Sequence, residues 1–230
     1  SGTGEDAVPD EIAAAAIQGD EAVLTWLDGG GRVDATLTVE GLSGNTLLRY
    51  AALKGHERLA ATLLQRGASI DLRNSRGVTA LMLAARNGHE QMAELLLQHG
   101  AEVNLQRSEG FTALYHAASF NRPAVVRRLL RVGADTAARA ENGKTALQLA
   151  KEKGYSECVR AIEEHAAAAA AETAAAREAE RAAAAAEARR RPRPRAGGRA
   201  AAAARRGGRP AEQRRLHRAD VRRRKRPRAG

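Results

Sequence analysis

The sequence predicts an all-α solenoid of about five short helical repeats, followed by a long Ala-rich helix and a disordered basic tail. Two observations lead to this fold class. The same residue types recur every 33 positions between about residues 41 and 150, and a fixed period of this length is typical of stacked repeat units. After residue 165 large apolar side chains almost disappear, so the remaining chain lacks the apolar area that a folded core requires.

A Thr-x-Leu motif marks each repeat, with glycine two residues before the threonine and alanine five residues after it. The threonines are Thr46, Thr79, Thr112 and Thr145, and the preceding glycines are Gly44, Gly77, Gly110 and Gly143. Threonine is a favourable N-cap, so each motif predicts the start of a first helix whose Leu and Ala face inward. Gly55, Gly88 and Gly154 lie where this helix should end, because glycine adopts the left-handed conformation of a helix C-terminus.

A second helix completes each unit. Paired leucines such as Leu63-Leu64 and Leu96-Leu97 recur at the same period, and Gly-Ala follows them. The leucines point to the same core as the first helix, and the glycine closes the second helix. Pro123 falls at the start of the second helix in the fourth unit, where its missing N–H has no partner to lose.

The combined pattern Gly-x-Thr-x-Leu-x-x-Ala-x-x-x-Gly-His resembles the ankyrin repeat. The resemblance covers residues 11–165 and implies helix-turn-helix units joined by β-hairpin-like loops. Its repeats are approximately residues 11–40, 41–73, 74–106, 107–139 and 140–165. The first is degenerate, with Ile12 and Ala16 in its first helix and Leu24 and Leu27 in its second.

The sequence departs from the family motif at two places in each unit. The family's Pro and His positions hold Leu47, Ala80, Ala113 and Ala146, and then Arg49, Met82, Tyr115 and Gln148. These departures bear on stability rather than on fold. The last unit ends in the polar run Ile162-Glu-Glu-His165, as a terminal cap of a repeat stack requires.

Three segments flank or follow the repeats. We expect residues 1–10 to be a disordered N-terminus, residues 166–191 to be an Ala/Glu/Arg-rich helical extension, and residues 192–230 to be a disordered Arg-rich tail. Residues 1–165 carry 18 Lys and Arg against 21 Asp and Glu, whereas residues 166–230 carry 20 against 6. The positive charge of the chain therefore belongs to its C-terminal part.

The tail has two interpretations. Its run Arg222, Arg223, Arg224, Lys225, Arg226 and Arg228 resembles a nuclear-import signal and would attract phosphate backbones. Ala, Arg, Gly and Pro are also the residues that GC-rich codons produce, so the tail is equally typical of drifting low complexity. Residues 166–230 contain no aromatic side chain to stack on bases, so any nucleic-acid binding should be weak and nonspecific.

The resemblance implies that partners bind in a groove lined by the loops and first helices. The residues expected there are Arg76, Val78, Arg86, Asn87, Phe111, Tyr115, Phe120, Lys144 and Lys151. Both phenylalanines of the chain belong to this set. They are interpreted either as half-buried scaffold or as interface hot spots. The arginines of the fourth second helix, Arg122, Arg127, Arg128 and Arg131, are expected on a solvated outer face.

The sequence offers little for catalysis. It has no phosphate-binding loop, no nucleophile elbow and no clustered Cys and His ligands. His56 and His89 share one repeat position, which favours inter-repeat hydrogen bonding over a ligand role. We therefore expect no enzyme activity, cofactor or metal. The single Cys158 fits a reducing compartment, and no stretch is apolar enough to span a bilayer.

These observations predict an intracellular monomer, cytoplasmic or nuclear, that acts as an adaptor or scaffold for another protein. The alternative is a nucleic-acid-associated or nuclear regulatory factor whose functional element is the basic tail. The two hypotheses differ in the part of the chain that binds the ligand: the repeats in the first, and residues 166–230 in the second.

The tail should bind polyanions through charge alone. We expect the affinity of the full chain for duplex DNA or RNA to fall steeply with salt, because binding releases counterions. Removal of residues 192–230 should abolish it. Fluorescence anisotropy with several labelled duplexes at a series of salt concentrations measures both effects. Binding that survives the truncation, or that differs strongly between sequences at constant salt, would contradict this expectation.

Overall fold

The computed structural model describes residues 7–18, 21–39 and 42–190. The expected tail, including the basic run from Arg222 to Arg228, and most of the expected N-terminal segment lie outside these residues. Within them, helices pair in chain order: α1 Asp10–Gln18 with α2 Ala22–Asp28, α3 Leu47–Lys54 with α4 Glu57–Gln65, α5 Ala80–Asn87 with α6 Glu90–Gln98, α7 Ala113–Ser119 with α8 Pro123–Arg131, and α9 Ala146–Glu152 with α10 Ser156–Arg190. The predicted all-α solenoid is confirmed.

The threonine motifs cap the first helices as predicted. Each threonine is extended and its hydroxyl accepts a hydrogen bond from the backbone N–H three residues later, at 3.4 Å from Arg49 and 3.1 Å from Tyr115. Thr145 forms a full capping box with Gln148. Each cap satisfies one amide that the helix itself cannot, so every first helix begins at the same point of its repeat.

The turn between the two helices of a unit needs a left-handed residue. Gly55 and Gly88 have φ values of 78° and 81°, and Asn121 takes the equivalent place with φ 53°. A Cβ on Gly88 would lie 2.6 Å from Cδ of Arg122 in the next repeat. The left-handed backbone favours glycine at this position, and a larger residue would also displace the Arg122 side chain.

The second helices close the core. Leu63, Leu96 and Leu129 are fully buried, and they pack in one continuous cluster with the alanines of the first helices. Small alanine side chains let adjacent first helices approach closely. The core therefore extends from repeat to repeat without a gap.

Consecutive repeats are also joined by side chains that reach back to the previous turn. His89 Nε2 lies 3.1 Å from the carbonyl oxygen of Leu53, as the shared histidine position predicted. In the next repeat Arg122 Nε donates to the carbonyl of Arg86 at 3.3 Å. Lys153 Nζ donates to the carbonyl of Ser119 at 2.9 Å in the last one. The three acceptors are spaced by 33 residues, so one contact recurs along the stack with different donors.

The loops carry the hairpin-like connections. The longer first loop contains an antiparallel pair, β1 Thr36–Val39 and β2 Leu42–Thr46, in which Thr36 pairs with Thr46. Later loops are joined by single backbone bonds. Ser108 N donates to Arg76 O at 3.2 Å, and Glu141 N donates to Glu109 O at 3.0 Å. These bonds hold the loop tips at a constant spacing.

Arg128, which was expected on a solvated outer face, is paired with two acids of the chain. Arg128 donates to Glu94 at 2.6 Å and to Glu90 at 3.1 Å, both in the preceding repeat. The hydrogen bond to Glu90 is the main reason that the pKa of Arg128 is raised. Arg128 is therefore an inter-repeat tether, because α6 and α8 pack side by side and bring these charges together.

Helix α10 is 35 residues long, in agreement with the long Ala-rich helix that the sequence predicted. Residues 166–177 are exposed. The chain divides into two units, Ser1–Arg177 and Glu178–Gly230. The described part of the second unit is the end of α10. The segment boundaries proposed from the sequence stay predictions.

Leu96 tests the register of the second helices. Because it is fully buried in the middle of the stack, Leu96→Ala should lower the free energy of unfolding by ~2–5 kcal/mol. Gln91→Ala, on the exposed side of the same helix, is the matched control and should change it by less than ~0.5 kcal/mol. Urea unfolding followed by circular dichroism measures both. A loss below ~1 kcal/mol for Leu96→Ala would show that this register is wrong.

Candidate functional site

A cavity of about 330 Å³ lies among the first helices and loops of the second to fourth repeats. Tyr50, Leu53 and Leu83 contribute apolar surface to it. Its cationic lining residues are Arg49, Lys54, Arg76, Arg86 and Arg107. Arg76 and Arg86 are two of the residues that the sequence predicted at this surface. The cavity is therefore a predominantly cationic site with an apolar wall.

Arg49 is the most unusual residue of the site. Its side chain is only 1% exposed, and Nη1 donates to the carbonyl oxygen of Leu72 at 2.7 Å. Nε and Nη2 are buried without a hydrogen-bond partner. Burial lowers the pKa of the Arg49 guanidinium to about 10, so the group is still charged at neutral pH. A buried cation with two unused donors is costly in free energy.

Phe111 belongs to an aromatic cluster beside the cavity. Its ring lies 4.6 Å from that of Tyr115 and 5.9 Å from that of His116, measured between centroids. Arg107 lies over the other side of the phenylalanine at 4.8 Å, and its Nε is 2.9 Å from Oε2 of Glu109. Phe111 is half-buried, and its contact with Tyr115 covers part of both rings.

Phe120 is a separate feature. It is 42% exposed at the end of α7, and Cζ of Arg86 lies 4.9 Å from its ring centroid. Lys153 approaches the same ring at 5.9 Å. Phe111 precedes the extended N-cap Thr112, and Phe120 follows Ser119, the last residue of α7. The two phenylalanines expected at one surface therefore lie at opposite ends of α7.

Two residues of the expected contact surface are buried. Val78 is 7% exposed, since Asn74 folds the loop back by accepting a hydrogen bond from Val78 N at 3.0 Å. Tyr115 is also 7% exposed, and its hydroxyl accepts a hydrogen bond from Asn142 Nδ2 at 3.1 Å. The expectation that these two side chains are exposed is corrected: Val78 lies in a loop that folds back on itself, and Tyr115 lies on the buried face of α7 beneath Asn142.

The remaining expected residues are engaged within the chain. Asn87 Nδ2 donates to the carbonyl of Leu83 at 2.8 Å. Lys144 pairs with Glu152 at 2.6 Å and Lys151 pairs with Glu163 at 2.7 Å. Exposed ion pairs of this kind contribute little to stability, so both lysines can exchange their partner for another acid.

Sequence reasoning missed Arg49, Arg107 and His116 as site residues. Arg49 had a signal, because it occupies the family's His position and differs from its three repeat equivalents. Arg107 and His116 had none. Arg107 and His116 line the cavity only because neighbouring repeats stack around it, and no local sequence pattern indicates this stacking.

Titratable groups near the cavity are poorly placed for acid–base chemistry. Burial is the main cause that lowers the pKa of His116 to about 4, with Arg107 and Arg86 adding repulsion and Glu109 opposing them. His116 is therefore neutral at pH 7. Burial also raises the pKa of the Cys158 thiol, which disfavours the reactive thiolate. Among residues 7–18, 21–39 and 42–190, no three His, Cys, Asp or Glu side chains group as a metal site would.

Family comparisons agree with this geometry. A model described as ankyrin repeats (3 copies) matches residues 12–107, and one described as ankyrin repeats (many copies) matches residues 96–150. Together they span more than half of the chain. The chain belongs to the ankyrin repeat family. No curated protein matches the sequence.

Membership of the ankyrin repeat family has a general functional meaning. Ankyrin repeats are generally protein–protein interaction modules, and they are typically not catalytic. No helix in the described part of the chain has the length and apolarity needed to cross a membrane.

His116 makes the stability of the ankyrin stack dependent on pH. Its pKa is about 4 in the folded chain and about 6.5 in the unfolded chain, so between these values the unfolded state binds more protons. Stability contributed by neutral His116 is present above pH ~6.5 and is lost as the pH falls toward ~4, on the order of 3 kcal/mol.

Urea unfolding across this pH range, compared between the native chain and His116→Gln, measures this contribution. We expect the variant to lose less stability on acidification. His99→Gln, at an exposed histidine, is the control and should follow the native chain. Parallel pH profiles for the native chain and His116→Gln would contradict the assignment.

Proposed function

We propose that this ankyrin repeat chain is a non-catalytic adaptor or scaffold that binds a partner protein through its groove and loop tips. The observation that carries the proposal is the cationic cavity next to an exposed aromatic side chain. Arg86 connects the two, since it lines the cavity and stacks on Phe120. Aromatic and arginine side chains are the residues that most often dominate binding energy at protein interfaces.

Desolvation favours Phe120 as the anchor. An exposed phenylalanine flanked by two cations gains from being covered by an apolar partner surface. Arg76 is exposed at the cavity, and Lys144 and Lys151 lie further along the stack in exchangeable ion pairs. Rim charges of this kind steer association and set its rate more than they set affinity.

A nuclear or nucleic-acid-associated role is the second candidate. It is supported by the charge of residues 166–230, which carry 20 Lys and Arg against 6 Asp and Glu. A basic segment of this composition attracts phosphate backbones without sequence preference. The two candidates are compatible, because one uses the repeats and the other uses the tail.

A photo-crosslinking amino acid placed at Phe120 tests the adaptor function in cells. We expect it to trap a protein that the same amino acid at Val132 does not, since Val132 is even more exposed, at 50% against 42%, but lies at the end of a second helix. If the two positions trap the same proteins, or neither traps any, the groove is not the binding surface.

The trapped protein, once purified, allows affinity to be measured. Phe120→Ala should weaken its binding at least ~10-fold, equivalent to about 1.4 kcal/mol, with little change in Tm. Val132→Ala is the matched control and should leave Kd unchanged. Phe111→Ala should lower both affinity and Tm, because its ring is half-buried. A parallel loss of Tm and binding in Phe120→Ala would assign the ring to the scaffold.

A further inference from the structure

One edge of the Arg49 guanidinium lacks a partner. Nη1 is used by the Leu72 carbonyl, whereas Nε and Nη2 donate to nothing within the described residues. These two nitrogens form the side of the guanidinium whose N–H groups point in parallel. A carboxylate matches that side with its two oxygens, in the bidentate arrangement that makes Arg–carboxylate pairs strong.

Arg49 also lacks a counter-charge. No acidic side chain of the described residues forms an ion pair with it, and burial is the sole cause that shifts its pKa. The other charged residues that line the cavity are cations, among them Arg76 and Arg86. Glu109 is held by Arg107, which contacts it through both Nε and Nη2 at 2.9 Å. The chain therefore supplies no carboxylate to this position.

A structural role alone explains this arrangement poorly. The bond to Leu72 uses one of five guanidinium donors, and a neutral donor would make it without burying a charge. A water molecule would satisfy the free N–H groups but would leave the positive charge unpaired. A carboxylate supplies both acceptors and the opposite charge.

We propose that the Arg49 cavity is a carboxylate subsite that receives an Asp or Glu side chain of a partner protein bound in the groove. This inference rests on the proposed function and specifies the chemistry of the partner. Charge complementarity favours an acidic segment. The apolar wall of Tyr50, Leu53 and Leu83 suits the methylene groups of that side chain and an apolar neighbour in the partner. Exposed Arg76 and Arg86 guide the acid to the cavity. Because Nε and Nη2 of Arg49 are themselves buried, the acid reaches them only when the side chains that cover this edge move aside.

The test uses the full chain and a phage-displayed library of random peptides. The library is selected on the native chain, on Arg49→Lys and on Arg128→Lys. Lysine keeps the charge and can still donate to Leu72, but it lacks the parallel N–H pair. Arg128→Lys makes the same change on the outer face. All steps use about 0.5 M salt, which screens the basic tail and other exposed charges.

An enriched peptide is then synthesised in three forms: unchanged, with its Asp or Glu replaced by the amide, and with its C-terminus amidated. We expect an acid at a constant position in peptides selected on the native chain and on Arg128→Lys. The amide form should bind the native chain at least ~10-fold more weakly, as loss of a charged hydrogen-bonded partner predicts. For Arg49→Lys, replacing the acid by the amide should weaken binding less than ~2-fold. The Tm of this variant should equal that of the native chain.

Several outcomes would overturn the subsite. In one outcome, the selected peptides lack a constant acid and bind the native chain and Arg49→Lys equally. That result would reject the carboxylate subsite but leave the proposed groove function intact. If only C-terminal amidation abolishes binding, the bound carboxylate is the C-terminus of the peptide and not an Asp or Glu side chain. If inorganic phosphate displaces the peptide at a lower concentration than acetate does, the site prefers phosphate to carboxylate. Failure to enrich any peptide would also reject the subsite, and crosslinking at Phe120 then decides separately whether the groove binds proteins.

Discussion

The second, third and fourth repeats of this ankyrin stack each leave the end of the first helix to be completed by the next repeat. The last carbonyl groups of a helix have no partner within it. Here the carbonyls of Leu53, Arg86 and Ser119 accept from His89, Arg122 and Lys153 respectively, each in the following unit. The donor type changes while the acceptor position stays constant, so the geometry of stacking is conserved along the chain although the side chain is not. Stability is accordingly shared between neighbours.

Charges on the two faces of the stack have different arrangements. On the outer face Arg128 lies between two glutamates of the preceding repeat, which joins the repeats. In the groove Arg49 has no acidic neighbour among the described residues, and Arg86 rests on an aromatic ring. Complementarity within the chain stabilises the fold, whereas the unmatched positive charge of the groove is available to a partner. This asymmetry is the physical basis of the proposed binding surface.

The candidate site was only partly predictable. The resemblance placed Phe111, Tyr115 and Phe120 at one groove surface. Tyr115 does contact Phe111, but Phe120 lies at the other end of α7. Val78 and Tyr115 were expected at the surface and are buried. Periodicity identifies the face of a helix, but the loops that cover it decide how much of each side chain remains exposed.

The sequence by itself determined the solenoid, its 33-residue register, the threonine caps and the left-handed turns. These features are local: a cap or a positive φ is specified within a few residues, and repetition makes the signal unmistakable. Only the tertiary structure decided that Arg49 is buried with a free edge, that Arg128 tethers two repeats, and that Arg107 and His116 border one cavity. Each of those depends on residues tens of positions apart, whose contact is a consequence of stacking and leaves no periodic trace in the chain.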